Sequence, residues 1–323
     1  MTEIPQAVAI REVGPRDGLQ LEPSLASGQK LRLIEALVRT GLRQIEAAAF
    51  VSPSAMPTMA DAEQIAGALA AWPAVEWSAL VASPGGARRA VAAGMRRVEY
   101  VVSAADGHSL ANVRRTTHEA TEATAQVARI VHDAGGRCEV IIATAWDCPF
   151  DGVTPPERTV RVATRAVELG ADELCLADTI GTSVPGRVLD LVGAVRAVLP
   201  ATPLGAHFHN TRGTGTASAW AAVTAGVGRL DASIGGLGGC PFAPGATGNI
   251  ATEELVYLLA DSGIETGIDL DRCLDAARMA QELVGHPLDS NLLRADGRSR
   301  PARLSRTASR SSRLSNHTSA TPS

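Results

Sequence analysis

V-A-I-R-E-V-G-P-R-D-G-L-Q, residues 8–20, decides between two folds. Its first six residues form an apolar run with the length of a strand, and the turn that follows is G-P-R-D-G. A doubly wound open sheet would carry a G-x-G-x-x-G phosphate turn at this point, and the spacing does not match. The same rhythm of short apolar run and longer helical segment recurs along the chain. Strands are expected at 8–13, 44–50, 76–82, 97–103, 138–144, 173–177, 204–209 and 230–234. Helical patterns fall at 28–40, 59–71, 84–94, 117–134, 156–169, 185–198, 215–227 and 249–262. Several of these end on glycine, as at 40–41, 134–136, 169–170 and 225–226, and several begin with proline, as at 154–157 and 184–186. Eight strand–helix units in alternation predict an α/β protein built as a closed parallel (β/α)8 TIM barrel, with the open sheet as the alternative. One domain over residues 1–290, including an extra C-terminal helix, is expected.

The 323 residues are 45% hydrophobic but only 3% aromatic, so the core must be made of Ala, Val, Leu and Ile. A net charge of −4 argues against nucleic acid as the main partner. No apolar run reaches about 18 residues, so no membrane span is expected. The N-terminus, M-T-E-I-P-Q-A, lacks the basic and apolar parts of a signal peptide. Cys138, Cys148, Cys175, Cys240 and Cys273 show no paired spacing, which fits a reducing compartment and a cytoplasmic location. From residue 296 to 323 the chain is Ser, Arg and Thr with almost no apolar spacing, and reads as a disordered tail.

In a parallel barrel the chemistry sits where strands end and their loops begin. Strand one offers Arg16, Asp17 and Gln20; strand two carries Glu46; strand six offers Asp178 and Thr179. Strand seven ends A-H-F-H-N-T-R-G, where alternation puts His207 and His209 on one face and Phe208 on the other. Strand eight runs into S-I-G-G-L-G-G-C-P-F-A-P-G-A-T-G-N, offering Cys240 and Asn249. One carboxylate, two imidazoles and an amide oxygen suit Mg²⁺, Mn²⁺ or another borderline divalent ion better than a structural zinc. Asp17, His207, His209 and Asn249 are therefore the candidate metal ligands. The glycines around Cys240 read as a mobile lid, and its thiol reads as a catalytic group or a fifth ligand. Arg16 has two readings: it stabilises an enolate oxygen formed in carbon–carbon cleavage, or it pairs with Asp17 or Glu46. The single lysine, Lys30, falls in the first helical segment, where a solvated face is expected. No lysine is then available at a strand end for a Schiff base, so carbon–carbon chemistry would have to be metal-assisted.

These strand ends resemble the 3-hydroxy-3-methylglutaryl-CoA lyase family of metal-dependent barrel lyases, from about residue 8 to 285. The resemblance rests on V-G-P-R-D-G-L-Q at 13–20, I-E at 45–46, F-V-S-P at 50–53, C-P-F-D-G at 148–152, A-D-T-I-G at 177–181 and H-F-H at 207–209. Its most specific part is G-L-G-G-C-P-F-A-P-G-A-T-G-N-I-A-T-E-E-L-V-Y at 236–257. The G-G-C-P loop separates lyases from the Claisen-type synthases that share R-D-G and H-x-H. The resemblance implies cleavage of 3-hydroxy-3-methylglutaryl-CoA to acetyl-CoA and acetoacetate, in leucine catabolism and ketone body metabolism. It also implies Mg²⁺ or Mn²⁺ on the four ligands above and a homodimer. Arg16 then steadies the departing enolate, with Gln20 beside it on the substrate, and Cys240 takes part in proton transfer. Glu46, Asp178 and Glu253 look like the acidic groups that position water, hydroxyl and ligands. Departures are Asn210 for the family's Asp, Ala47-Ala48-Ala49 for hydroxyl residues, and Leu21 for Asn. They are what a changed acyl pocket, acting on another 3-hydroxy-3-substituted acyl-CoA, would look like, and equally what neutral drift would leave.

Overall fold

The computed structural model describes residues 4–239 and 248–297. The expected lid residues 240–247, Cys240 among them, and nearly all of the expected tail lie outside the described residues. Eight parallel strands close into a barrel: β1 (Ala9–Glu12), β2 (Gln44–Phe50), β3 (Glu76–Val81), β4 (Arg97–Ser103), β5 (Arg137–Ala143), β6 (Glu173–Asp178), β7 (Leu204–Phe208) and β8 (Arg229–Ala232). Each pairs with its sequence neighbour, and β1 pairs with β8 to shut the ring. The TIM barrel predicted by the alternation is the fold, and the open sheet is ruled out by the β1–β8 ladder.

The outer layer is α1 (Ser27–Arg39), α2 (Ala62–Ala68), α3 (Pro84–Ala92), α4 (Asp106–Val113), α5 (Thr117–Glu122), α6 (Thr124–Asp133), α7 (Pro156–Glu168), α8 (Pro185–Val198), α9 (Gly215–Thr224) and α10 (Thr252–Asp261). The expected extra helix follows as α11 (Leu270–Val284), with a short α12 (Asn291–Arg294) after it. Amphipathic spacing makes these elements pack. In α1, Leu33, Ile34 and Leu37 are fully buried on one face, each contributing about 1.5–3 kcal/mol through burial. Among the described residues no helix is long and apolar enough to cross a membrane.

Three local readings need correction. Lys30 is buried, not solvated: its ammonium donates to Thr58 O and Asp61, both at 2.5 Å, tying α1 to the start of α2. The segment 106–113 is helix α4, unanticipated because D-G-H-S-L-A-N-V carries a glycine and no clear apolar stripe. The last expected helix begins at Thr252 rather than 249. Residues 249–251 are held extended, with Ile250 N donating to Phe208 O and Ser233 N to Ile250 O. That pairing is what delivers Asn249 to the barrel mouth.

Strand alternation sorts the side chains. Phe208 points outward, is fully buried, and packs on Trp146 at 5.5 Å between ring centroids. The barrel axis carries charge instead: Arg11, Glu46, Glu99, Glu139, Glu173, Arg229 and Asp231 are all buried. Gly205 is needed to make room for them, since a Cβ there would lie 2.3 Å from the Arg229 guanidinium.

Candidate active site

The turn after β1 is a wide helical loop over Gly14–Gly18. The N–H groups of Arg16, Asp17 and Gly18 all converge on Val13 O, at 3.1, 2.7 and 3.2 Å. Wide turns of this kind recur at functional sites because they re-aim side chains. Here the turn lays Arg16 and Asp17 side by side over the barrel mouth. Asp17, His207 and His209 each bring one ligand atom to within 4.8 Å of the others. The two imidazole centroids are 5.2 Å apart. Asn249 is drawn in by an antiparallel bridge with His209, and its Nδ2 donates to Asp17 Oδ2 at 2.7 Å and to Leu237 O at 2.9 Å. Gly238, at φ +124°, allows this approach: a Cβ would sit 2.6 Å from Nδ2.

With both amide hydrogens used, Asn249 Oδ1 is buried with no hydrogen-bond partner among the described residues, and so is His209 Nδ1. Unmade buried bonds of this kind are costly unless a ligand completes them. A carboxylate, two imidazoles and a bare amide oxygen form the mixed O/N set that a hard-to-borderline divalent cation takes. The residues present thus fit a divalent metal, and the four-residue ligand set read from the sequence is brought together.

Burial works to raise the Asp17 carboxyl, but Arg16 and then the two imidazoles outweigh it and hold it below its usual range. Burial, reinforced by His207, brings His209 down to about 4, so its imidazole is neutral at ordinary pH. Both are the protonation states a cation needs. Of the two readings of Arg16, the structure shows the pairing, and with both acids. Its Nη1 donates to Asp17 at 2.7 Å and its Nε faces Glu46 at 2.7 Å. Its Nη1 also lies 3.4 Å from Gln20 Oε1, and the residue lines a cavity. Burial pushes the Glu46 carboxyl well up; Arg16 opposes this, and Glu99 adds to it across the barrel.

A cavity of about 180 Å³ opens above these groups. Arg16, Asp17, Gln20, Thr179, His207 and His209 are among its lining residues. Val51, Met56, Leu80, Val101 and Ile141 add apolar lining, and His108 and Asn112 of α4 line it as well. Asp178 and Glu253 are not on the cavity wall. Asp178 accepts from the N–H groups of Thr182 and Ser183 at 3.0 and 2.9 Å, fastening the loop after β6. Glu253 accepts from Gly235 N at 3.0 Å behind the turn after β8. Nor do Ala47, Ala48 and Ala49 line the cavity, although all three are buried. Asn210 is used as a cap: its Oδ1 accepts from Gly215 N at the start of α9. Leu21 is half exposed.

Sequence reasoning missed His108 and Asn112, because the helix that carries them lacks a clear pattern. It also missed Asp231, which sits beside His207 in the β7–β8 register, with His207 Nδ1 3.4 Å from Asp231 Oδ2. The motif V-G-R-L-D-A held a carboxylate two residues into a strand, and that spacing was the available signal.

A closed parallel barrel with a carboxylate–imidazole–amide cluster at the C-terminal ends of its strands defines a metal-assisted barrel enzyme. The chain belongs to the HMGL-like family, whose pattern matches residues 7–280. It is 41% identical to the (R)-citramalyl-CoA lyase of Chloroflexus aurantiacus, over 88% of this chain and 93% of that one. It is 38% identical to the hydroxymethylglutaryl-CoA lyase YngG of Bacillus subtilis, over 90% and 97% of the two chains. Among solved structures, the Bacillus subtilis HMG-CoA lyase superposes with a TM-score of 0.88 at 37% identity, covering 91% of this chain and 99% of that one. An HMG-CoA lyase from Acinetobacter baumannii, in complex with coenzyme A and 3-methylmalate, gives 0.87 at 36% identity, covering 93% and 98%. The protein is a carbon–carbon lyase of the hydroxymethylglutaryl-CoA lyase type.

Proposed function

We propose that the protein cleaves 3-hydroxy-3-methylglutaryl-CoA to acetyl-CoA and acetoacetate, using Mg²⁺ or Mn²⁺ held by Asp17, His207, His209 and Asn249. The observation that carries this reading is Asn249 Oδ1, buried beside Asp17 and the two imidazoles with no hydrogen-bond partner among the described residues. When bound, the cation supplies Lewis acidity that makes the tertiary hydroxyl easier to deprotonate. As that proton passes to solvent water, the C3–oxygen bond becomes a carbonyl, C2–C3 breaks, and the electron pair passes to the thioester as an enolate, which takes up one proton at C2. The Arg16 guanidinium is the donor for that enolate oxygen, and Glu46 at Nε and Asp17 at Nη1 hold it in place, so it needs no reorganisation. Cys240, outside the described residues, is the thiol we assign to protonating C2. Gln20, whose Oε1 lies 3.4 Å from Arg16 Nη1, lines the same cavity and is the residue we assign to the substrate beside Arg16. The active protein is a cytoplasmic homodimer with one barrel domain, residues 1–290.

A second reading has its own support in the 41% identical citramalyl-CoA lyase. Citramalyl-CoA keeps the tertiary hydroxyl and methyl and lacks one methylene before its carboxylate; the same cleavage gives acetyl-CoA and pyruvate. Acetyl-CoA release from each thioester, with Mg²⁺ or Mn²⁺ and against EDTA, separates the two. Fast EDTA-sensitive release from the glutaryl thioester supports the first reading. Release from citramalyl-CoA alone replaces it with the second, and release from neither, with metal bound, removes both.

A further inference from the structure

His207 is one of three in-register residues on adjacent strands. Across the β7–β8 ladder it faces Asp231, and across the β8–β1 ladder Asp231 faces Arg11. Arg11 grips the Asp231 carboxylate with two arms, Nε to Oδ1 at 2.9 Å and Nη2 to Oδ2 at 2.6 Å. The third nitrogen, Nη1, reaches across the barrel to Glu99 at 2.6 Å and to Glu139. Arg229 holds Glu139 from the other side and approaches Asp231 at 3.5 Å. Arg11 and Asp231 are 3% and 2% exposed, so neither can turn to solvent. A fork on a carboxylate fixes its plane as well as its position.

We propose that Arg11 and Asp231 are positioning residues for the metal ligand His207: Asp231, clamped by Arg11, takes the Nδ1 hydrogen and leaves Nε2 for the cation. A carboxylate on the far nitrogen of a ligating histidine sets its tautomer and orientation and makes it a better donor. The clamp explains why a barrel with few aromatic residues holds an arginine at its centre. Without the guanidinium, the Asp231 carboxylate would keep only Arg229, at 3.5 Å, to offset Glu139, and its oxygens would be free to rotate away from the imidazole. This rests on Asp17, His207 and His209 forming a metal site; it does not depend on which thioester is cleaved.

Two measurements test it on the full chain. In EDTA-stripped, ¹⁵N-histidine-labelled protein, long-range proton–nitrogen correlation reads the tautomer of His207, assigned by the peak missing in His207→Gln. The Nδ1–H form is expected, and Asp231→Asn should erode it. Co²⁺ titration followed by visible absorption should show affinity lowered roughly 10–100-fold in Asp231→Asn and in Arg11→Met. An Nε2–H tautomer in the unmodified protein, or Co²⁺ affinity in Asp231→Asn within twofold of it, overturns the proposal. Should Arg11→Met fail to fold, the isosteric Asp231→Asn decides alone. Absence of Co²⁺ binding by the unmodified protein overturns the metal-site reading itself, whereas the tautomer is read without metal.

Discussion

At the barrel mouth, Asn249 Oδ1 and His209 Nδ1 are buried without partners among the described residues, and Arg16 lies between Asp17 and Glu46. One layer down the axis, Asp231 receives both arms of Arg11, and Glu139 lies between Arg11 and Arg229. Asp17 and His207 are less completely buried than Arg11 and Asp231, and the upper layer leaves Asn249 Oδ1 and His209 Nδ1 without partners among the described residues, whereas in the lower one Glu99, Glu139 and Asp231 each meet a guanidinium. Desolvated charge is tolerable only when opposite charge and hydrogen bonds meet it, so the lower layer is a rigid floor. The upper layer keeps unmade bonds, which a cation and a substrate can complete.

Breaking the upper layer should cost most. Asp17→Ala and His209→Ala are expected to lose bound metal by elemental analysis and to drop turnover by roughly 10³-fold or more. Retained metal at one equivalent would show that the open atoms are not ligands. Arg16→Met is next: kcat should fall by about 10²–10³-fold with metal content unchanged, because the donor is aimed at charge that develops only during cleavage. A change confined to KM would make Arg16 a binding residue.

The third test sharpens the contrast through pH. His108, on the cavity wall, has its imidazole held down to about 4 by burial, while its Nδ1 meets Ser103 Oγ at 2.6 Å. The unfolded chain takes up this proton near 6.5 and the folded one near 4, so stability is complete above 6.5 and is lost as pH falls between the two. His108→Gln should flatten that slope in metal-free protein, removing on the order of 3 kcal/mol of pH dependence by denaturant melts at pH 7 and pH 4. An unchanged slope would mean that His108 stays charged in the fold. Asn210→Asp should do least. Asn210 caps α9 through Gly215 N, and aspartate caps equally well, so Co²⁺ affinity should stay within about twofold. A tenfold gain would mean that the added charge reaches the cation.

The barrel itself was legible because its strands carry short apolar runs that end in loops, and β2 and β4 fall at the expected limits, 44–50 and 97–103. His207 and His209 were legible because a period of two on a strand puts them on one face whatever surrounds them. Asn249 was legible as a ligand type but was placed at a helix start, whereas a bridge to His209 holds it in extended chain. α4 was not legible: a glycine and an unclear stripe hide a helix whose position is set by Asp151 accepting from Gly107 N, 44 residues away in sequence.

The sequence alone determined which residues could ligate, which strand each ends, and that carbon–carbon chemistry here has no lysine to use. Those are local properties of residue type and period. Only the tertiary structure decided that Arg11 clamps Asp231, 220 residues apart, and that Asp231 stands behind His207. Barrel closure and strand register create those neighbours, and a one-residue slip would turn every one of them to the other face.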